Sequence, residues 1–178
     1  PVAIALDTLK LALSELASIS ERRIERMLNP ALSNGLPAFL TEDGGLNSGF
    51  MIAQYVAASL VSEDKVLVHP ASADSIPTSA GQEDHVSMGA TSAVHLWHVC
   101  GNVERVLGIE LMCGAQGVDF LAPKRPGPAV RAAHAAVREL SPHVDADRSL
   151  AAEIDAVAGK IRDGSLLAAV ESGSAPLR

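Results

Sequence analysis

The chain has 178 residues and a formal charge of −7, from 14 Lys and Arg against 21 Asp and Glu, enough polypeptide for one packed core. This acidic balance lacks the electrostatic footprint that a phosphate backbone or an anionic membrane surface demands, so neither nucleic acid nor membrane is an expected partner. Hydrophobic residues make up 48% of the chain and aromatic ones only 3%, and such Ala, Leu and Val content predicts closely approaching helices and an oligomer whose interface hides the surplus.

From Pro1 to about Asn29, Leu6, Leu9, Leu13, Leu16, Ile24, Met27 and Leu28 recur at threes and fours with Lys10, Glu15 and Glu21 between them, the pattern of a long amphipathic helix. Pro1 suits a first helical position, and Asn29-Pro30 ends the run. A helix that begins at the chain terminus is expected to belong to a fragment or a small subunit and to dock directly onto another polypeptide. Residues 30–48 carry Pro30, Asn34-Gly35, Pro37 and Asp43-Gly44-Gly45 and read as a loop. Asn47 or Ser48 is the expected side-chain cap of a second helix over Phe50 to Asp64. A second irregular stretch, residues 70–83, leads into a helix from near Asp84 to about Gln116, roughly 45 Å long at 1.5 Å per residue.

Pro123, Pro126 and Pro128 make a rigid connection to two shorter helical patterns, at about 129–139 and 147–162, and the Gly/Ser/Ala/Pro tail from Ser172 predicts no ordered element. Strand-like alternation and fixed-period repeats are absent, so the expected fold is all-α: a long-helix core over 1–125, short C-terminal helices over 126–171, and a tail over 172–178. Cys100 and Cys113 fit neither a disulfide framework nor a zinc spacing, no apolar stretch is long enough for a bilayer, and no basic leader with a cleavage site is present; the expected location is the cytoplasm.

Chemistry concentrates at one junction, Ser79-Ala80-Gly81-Gln82-Glu83-Asp84-His85-Val86-Ser87-Met88-Gly89. Acidic, Ser and Gly residues are ordinary at a helix start. The same groups, with Glu83 as acid/base candidate and Gln82 as donor, also suit proton transfer at a helix N-terminus. His95 and His98 are spaced for one metal but lack a third ligand at a helical interval, so no metal site is expected. Arg22, Arg23 and Arg26 read as ion-pair partners of Glu21 and Glu25 or of a neighbouring subunit. Phosphate-loop, Cys-His and Gly-x-Ser-x-Gly motifs are absent.

The segment Ile76-Pro77-Thr78-Ser79-Ala80-Gly81-Gln82-Glu83-Asp84-His85-Val86-Ser87-Met88-Gly89 resembles the signature of the histidine ammonia-lyases. Further blocks agree in order: Ser18 to Ile24, Asn29-Pro30, Leu36 to Leu40, Gly44 to Gln54, His69 to Ser72 and Gln116 to Phe120. The resemblance covers roughly residues 1 to 125 and lies in the C-terminal part of a family member, which is about three times longer. It implies a helical tetramer with active sites shared between subunits, and an electrophilic methylidene-imidazolone group made from an internal Ala-Ser-Gly. That tripeptide is absent from this chain, and the family's substrate-holding Tyr and Arg lie upstream of the matching part. Two explanations follow, a cleaved enzyme or a naturally split one, and the split is favoured: an enzyme inactive as this chain alone, in which a larger partner supplies the prosthetic group and four copies of each chain assemble.

The resemblance further implies that Glu83 is the carboxylate of the histidine-type members, holding the substrate ammonium or moving a proton. Met51 is implied to line the site near the substrate ring and Gln82 to bind substrate, with Phe50 and His85 supporting that shell by packing and hydrogen bonding. The expected reaction is loss of ammonia from an aromatic amino acid, histidine foremost, to give an α,β-unsaturated acid such as urocanate. The rivals are a 2,3-aminomutase on the same scaffold and a non-catalytic structural or regulatory subunit.

Overall fold

The computed structural model describes residues 1–173. Six α-helices follow in order: α1 (Val2–Leu28), α2 (Met51–Leu67), α3 (Gly89–Phe120), α4 (Pro128–Arg138), α5 (Ala151–Arg162) and α6 (Ser165–Gly173). Short 3₁₀ turns lie at Ala38–Leu40, Ala71–Ala73 and Ser79–Gly81, and no β-strand occurs among the described residues. The all-α expectation holds.

The central element is α3, whose 32 residues reach ~48 Å. Its buried Val99, Val103, Val106, Ile109, Met112 and Cys113 recur at threes and fours, and α1, α2 and α5 pack against it. Each large aliphatic side chain fully buried there contributes about 1.5–3 kcal/mol through the hydrophobic effect. At its C-terminal end the buried Gln116 amide donates to the Leu40 and Val144 carbonyls at 3.3 and 3.1 Å, and its oxygen accepts from Arg138 at 2.9 Å. Asp119 accepts from Arg138 and His134, both at 2.6 Å, and from His143 at 2.8 Å. One turn of α3 thus fastens the loop before α2, α4 and the segment after α4.

Several expectations are corrected. The helix expected from near Asp84 starts at Gly89, because Met88 takes a left-handed backbone (φ 51°) that breaks the helical path, and it runs on to Phe120. Neither Asn47 nor Ser48 caps α2 with its side chain. Residues 147–150 precede α5 rather than open it, and α6 had no counterpart in the sequence reading. That helix takes in Ser172 and Gly173, so the unstructured tail expected from Ser172 is wrong at those two positions, and 174–178 lie outside the described residues.

The stripe on α1 is also revised: Leu9 and Leu16 are exposed, whereas Lys10 and Glu21 are buried. This helix carries apolar residues on nearly every side, including exposed Val2, Ile4, Leu11 and Ile19, so periodicity could not choose its inner face. Arg22 pairs with Glu21 as expected, but Arg23 reaches across to Glu110 on α3 with two bonds, and Glu25 accepts from Asn29 instead of pairing with an arginine. None of the helices, over the described residues, is long and apolar enough to cross a membrane.

On α2, against α3, Asp64 is fully buried, with Oδ1 accepting from Asn102 at 2.9 Å and Oδ2 without a partner among the described residues. Burial pushes its carboxyl up from 3.8 to about 6, helped by the Glu63 charge and opposed by the Asn102 bond. A carboxyl that holds its proton more tightly folded than unfolded contributes stability fully below its unfolded value and loses it as pH rises through the folded one. Chemical unfolding of the wild type and of Asp64→Asn, compared from pH ~4 to ~7, should therefore show the wild type losing stability relative to the variant as pH rises across that window.

Candidate functional site

The candidate residues sit on two loops, each ahead of a helix, except Met51, which is the first residue of α2. All non-glycine residues with left-handed backbone among those described fall in these loops: Asn34, Phe39 and Leu40 before α2, and Ser79, Ala80 and Met88 before α3. Such conformations cost of order 1–3 kcal/mol each and persist only where the surroundings over-determine them.

In the second loop, Ser79, Ala80 and Gly81 turn the chain with φ of 53°, 55° and 85°. Thr78 and Glu83 close the turn by exchanging backbone bonds, the Thr78 N–H to the Glu83 carbonyl at 3.0 Å and the Glu83 N–H to the Thr78 carbonyl at 3.3 Å. Gln82, Glu83 and His85 project from this turn, exposed and without a side-chain hydrogen-bond partner among the described residues. Any burial of the Glu83 carboxylate must therefore come from a surface outside these residues.

Buried charge anchors the approach to the turn. Lys10, with no exposed surface, pairs with Asp7 at 2.8 Å and donates to the His69 carbonyl at 3.1 Å, while Asp7 accepts the Ser72 N–H at 2.8 Å. Burial alone would raise the Asp7 carboxyl, but the bonds from Lys10 and Ser72 outweigh it and hold the group well below the usual carboxylate range. Downstream, the Ser75 hydroxyl accepts the Val86 N–H at 2.9 Å, tying the anchored segment to the far side of the Glu83 turn. His69 and His95 share a cavity of about 510 Å³ with Asp74, Met88 and Thr91, and no group of three His, Cys, Asp or Glu among the described residues is placed to hold a metal ion.

In the first loop, Gly49 (φ 52°) passes so close to the Phe39 carbonyl that a Cβ would lie 2.4 Å from its oxygen. That carbonyl accepts the Phe50 N–H at 2.9 Å, and the Phe50 ring is fully buried in the core. Met51, one residue on, is half-buried at the edge of a cavity of about 310 Å³ shared with Glu21, Arg22, Phe39, Gln54, Tyr55 and Ala58. The structure thus groups Phe50 with Met51, and Gln82 with Glu83 and His85, and no hydrogen bond joins the two groups among the described residues.

Sequence reasoning missed three residues that hold these loops. Asp7 and Lys10 have the spacing of a helical ion pair, a visible signal, but nothing in the pattern turns them inward. Asp147, which accepts the Ser48 and Gly49 N–H groups, lies 99 positions from Ser48 and has no local signature.

With its helical core and its exposed amide and carboxylate on a braced turn, the chain belongs to the aromatic amino acid lyase family, which it matches over residues 1–139. Among individual relatives, it is 59% identical over 177 residues to histidine ammonia-lyase of Symbiobacterium thermophilum, covering 99% of this chain and 35% of that protein. Of solved structures, histidine ammonia-lyase from Trypanosoma cruzi superposes with a TM-score of 0.91 at 52% identity, over 96% of this chain and 33% of that one. Tyrosine aminomutase from Streptomyces globisporus does so with 0.94 at 39% identity, over 98% and 34%. The chain spans about a third of the length of these relatives.

The close approach at Gly49 makes a simple test of the first loop. Gly49→Ala should lower stability by about 2 kcal/mol or more in urea unfolding, because the new methyl meets backbone in a conformation that L-residues rarely adopt.

Proposed function

We propose that this chain contributes one wall of the active site of a histidine-type ammonia-lyase, an enzyme of the cytoplasm that removes ammonia from histidine to give urocanate. The observation that carries the reading is the Glu83 turn: a carboxylate and an amide on neighbouring residues, exposed and unpartnered among the described residues, on a strained backbone that the Thr78–Glu83 bonds hold closed. Sites built this way display functional groups on a loop while a rigid scaffold fixes their place. The likeness to two named histidine ammonia-lyases supports the substrate.

In this reading the Glu83 carboxylate accepts a hydrogen bond from the substrate ammonium and takes or returns a proton as the C–N bond breaks. The Gln82 amide donates to a substrate oxygen, and the Met51 thioether lies against the imidazole ring, where a soft apolar side chain suits an aromatic edge. Phe50 holds Met51 from the core, and His85 borders the same turn as Glu83. The exposed polar pair fits a role facing a methylidene-imidazolone group, which when present supplies the electrophile that activates the amino group for departure. The chain has no Ala-Ser-Gly from which to form that group, so the reading assigns it to a larger partner polypeptide, in an assembly with four copies of each chain.

Likeness to a tyrosine aminomutase favours a second reading, return of ammonia to the β carbon, which product analysis separates from elimination. Intact-mass analysis of the complex purified from the native host tests the partner: a second chain of roughly twice this length, lighter by two waters at its Ala-Ser-Gly, is the expected result, and a single longer polypeptide overturns the split. In the assembled enzyme, Glu83→Gln should lower kcat by about 100-fold or more with assembly intact. An unaffected rate would mean that the chain is a structural subunit.

A further inference from the structure

The segment that delivers Met51 is gripped from two sides. Inside, the Phe39 carbonyl accepts the Phe50 N–H and excludes any side chain at Gly49. Outside, Asp147 accepts the Ser48 N–H at 3.0 and 2.9 Å on its two oxygens and the Gly49 N–H at 2.9 Å. The grip is reciprocal, because the Asp147 N–H donates to Asn47 Oδ1 at 3.2 Å. Charge-assisted bonds of this kind are stronger than neutral ones, and the Ser48 and Gly49 N–H groups hold the Asp147 carboxyl below the usual carboxylate range.

Asp147 is itself held in place. Its neighbour Arg148 donates to the Pro142 and His143 carbonyls at 2.7 and 3.1 Å and pairs with Glu153 on α5 at 2.8 Å, closing the 142–148 segment into a braced loop. From there a short path leads to the site: Asp147 fixes Ser48, and the Ser48 carbonyl accepts the Met51 N–H at 3.1 Å in the first turn of α2.

We propose that Asp147 is a positioning residue for Met51, setting through the Ser48 backbone the direction in which the methionine leaves the start of α2. The inference rests on the reading of Met51 as part of the substrate-binding surface. It gives the region past residue 139, where the family match ends, a part in shaping the site.

The test uses the full chain with ¹³C in its methionine methyls; the chain has four methionines, and Met51→Leu assigns the signal of interest. Asp147→Ala should move or broaden the Met51 methyl signal and leave that of buried Met112 in place, and Asp147→Asn, which keeps one acceptor, should do so less. An unmoved Met51 signal overturns the proposal, as does a Met112 signal that moves equally, which would mark general loosening. In the assembled enzyme Asp147→Ala should raise KM for histidine by roughly 5-fold while kcat stays within about 2-fold, with Asn restoring part of the loss. An unchanged KM overturns the positioning role. A wild-type assembly inactive on histidine removes the lyase reading instead, and the methyl signals then decide the clamp alone.

Discussion

Everything else in the molecule is arranged around the burial of α3. Its apolar positions recur closely enough to contact helices on several sides at once, so α1, α2 and α5 gain their own burial by packing against it. The polar turn at its C-terminal end does a different job. Gln116 and Asp119 satisfy backbone carbonyls, an arginine and two histidines from three separate segments, which leaves few ways to arrange the connections around the helix end. Apolar packing sets how close the helices come, and the directional bonds of this turn set which loop goes where.

A rigid frame of this kind can carry strained loops, and among the described residues the left-handed non-glycine positions fall in the two loops that precede α2 and α3. Left-handed residues at Ser79 and Ala80 would relax in a free peptide; here the exchange of bonds between Thr78 and Glu83 closes the turn, and the buried Lys10 and Asp7 fix the segment that leads into it. The buried pair is an instructive case, since burying two charges is seldom a gain in stability by itself. Its value lies in geometry: one ammonium and one carboxylate on successive turns of α1 reach the backbone at His69 and Ser72 and so relate the loop to the core.

The apolar surface left outside that frame has a consistent meaning. α1 carries apolar side chains on nearly every side, several of them exposed, and Trp97 on α3, 79% exposed, adds to the same surplus. Both features fit the assembly proposed for this chain, in which helices of other polypeptides cover them and bring further groups to the Glu83 turn.

The first five helices, their approximate lengths and the loops between them were legible in the amino-acid sequence because apolar period and turn residues act locally, whereas α6 was not. Asn29-Pro30 ends α1 and Pro128 opens α4 for reasons contained in a few neighbouring residues. The candidate residues Gln82, Glu83 and Met51 were legible too, through blocks whose order matches a known family. Only the tertiary structure decided which face of α1 turns inward, burying Lys10 while exposing Leu9, because a helix apolar all round offers several equivalent choices until its neighbours are in place. It alone decided that α3 begins at Gly89, since Met88 takes a left-handed backbone that a methionine does not adopt by its own preference. It alone joined Asp147 to Ser48, for a hydrogen bond between residues 99 positions apart depends on how the whole chain folds, and no local pattern encodes it.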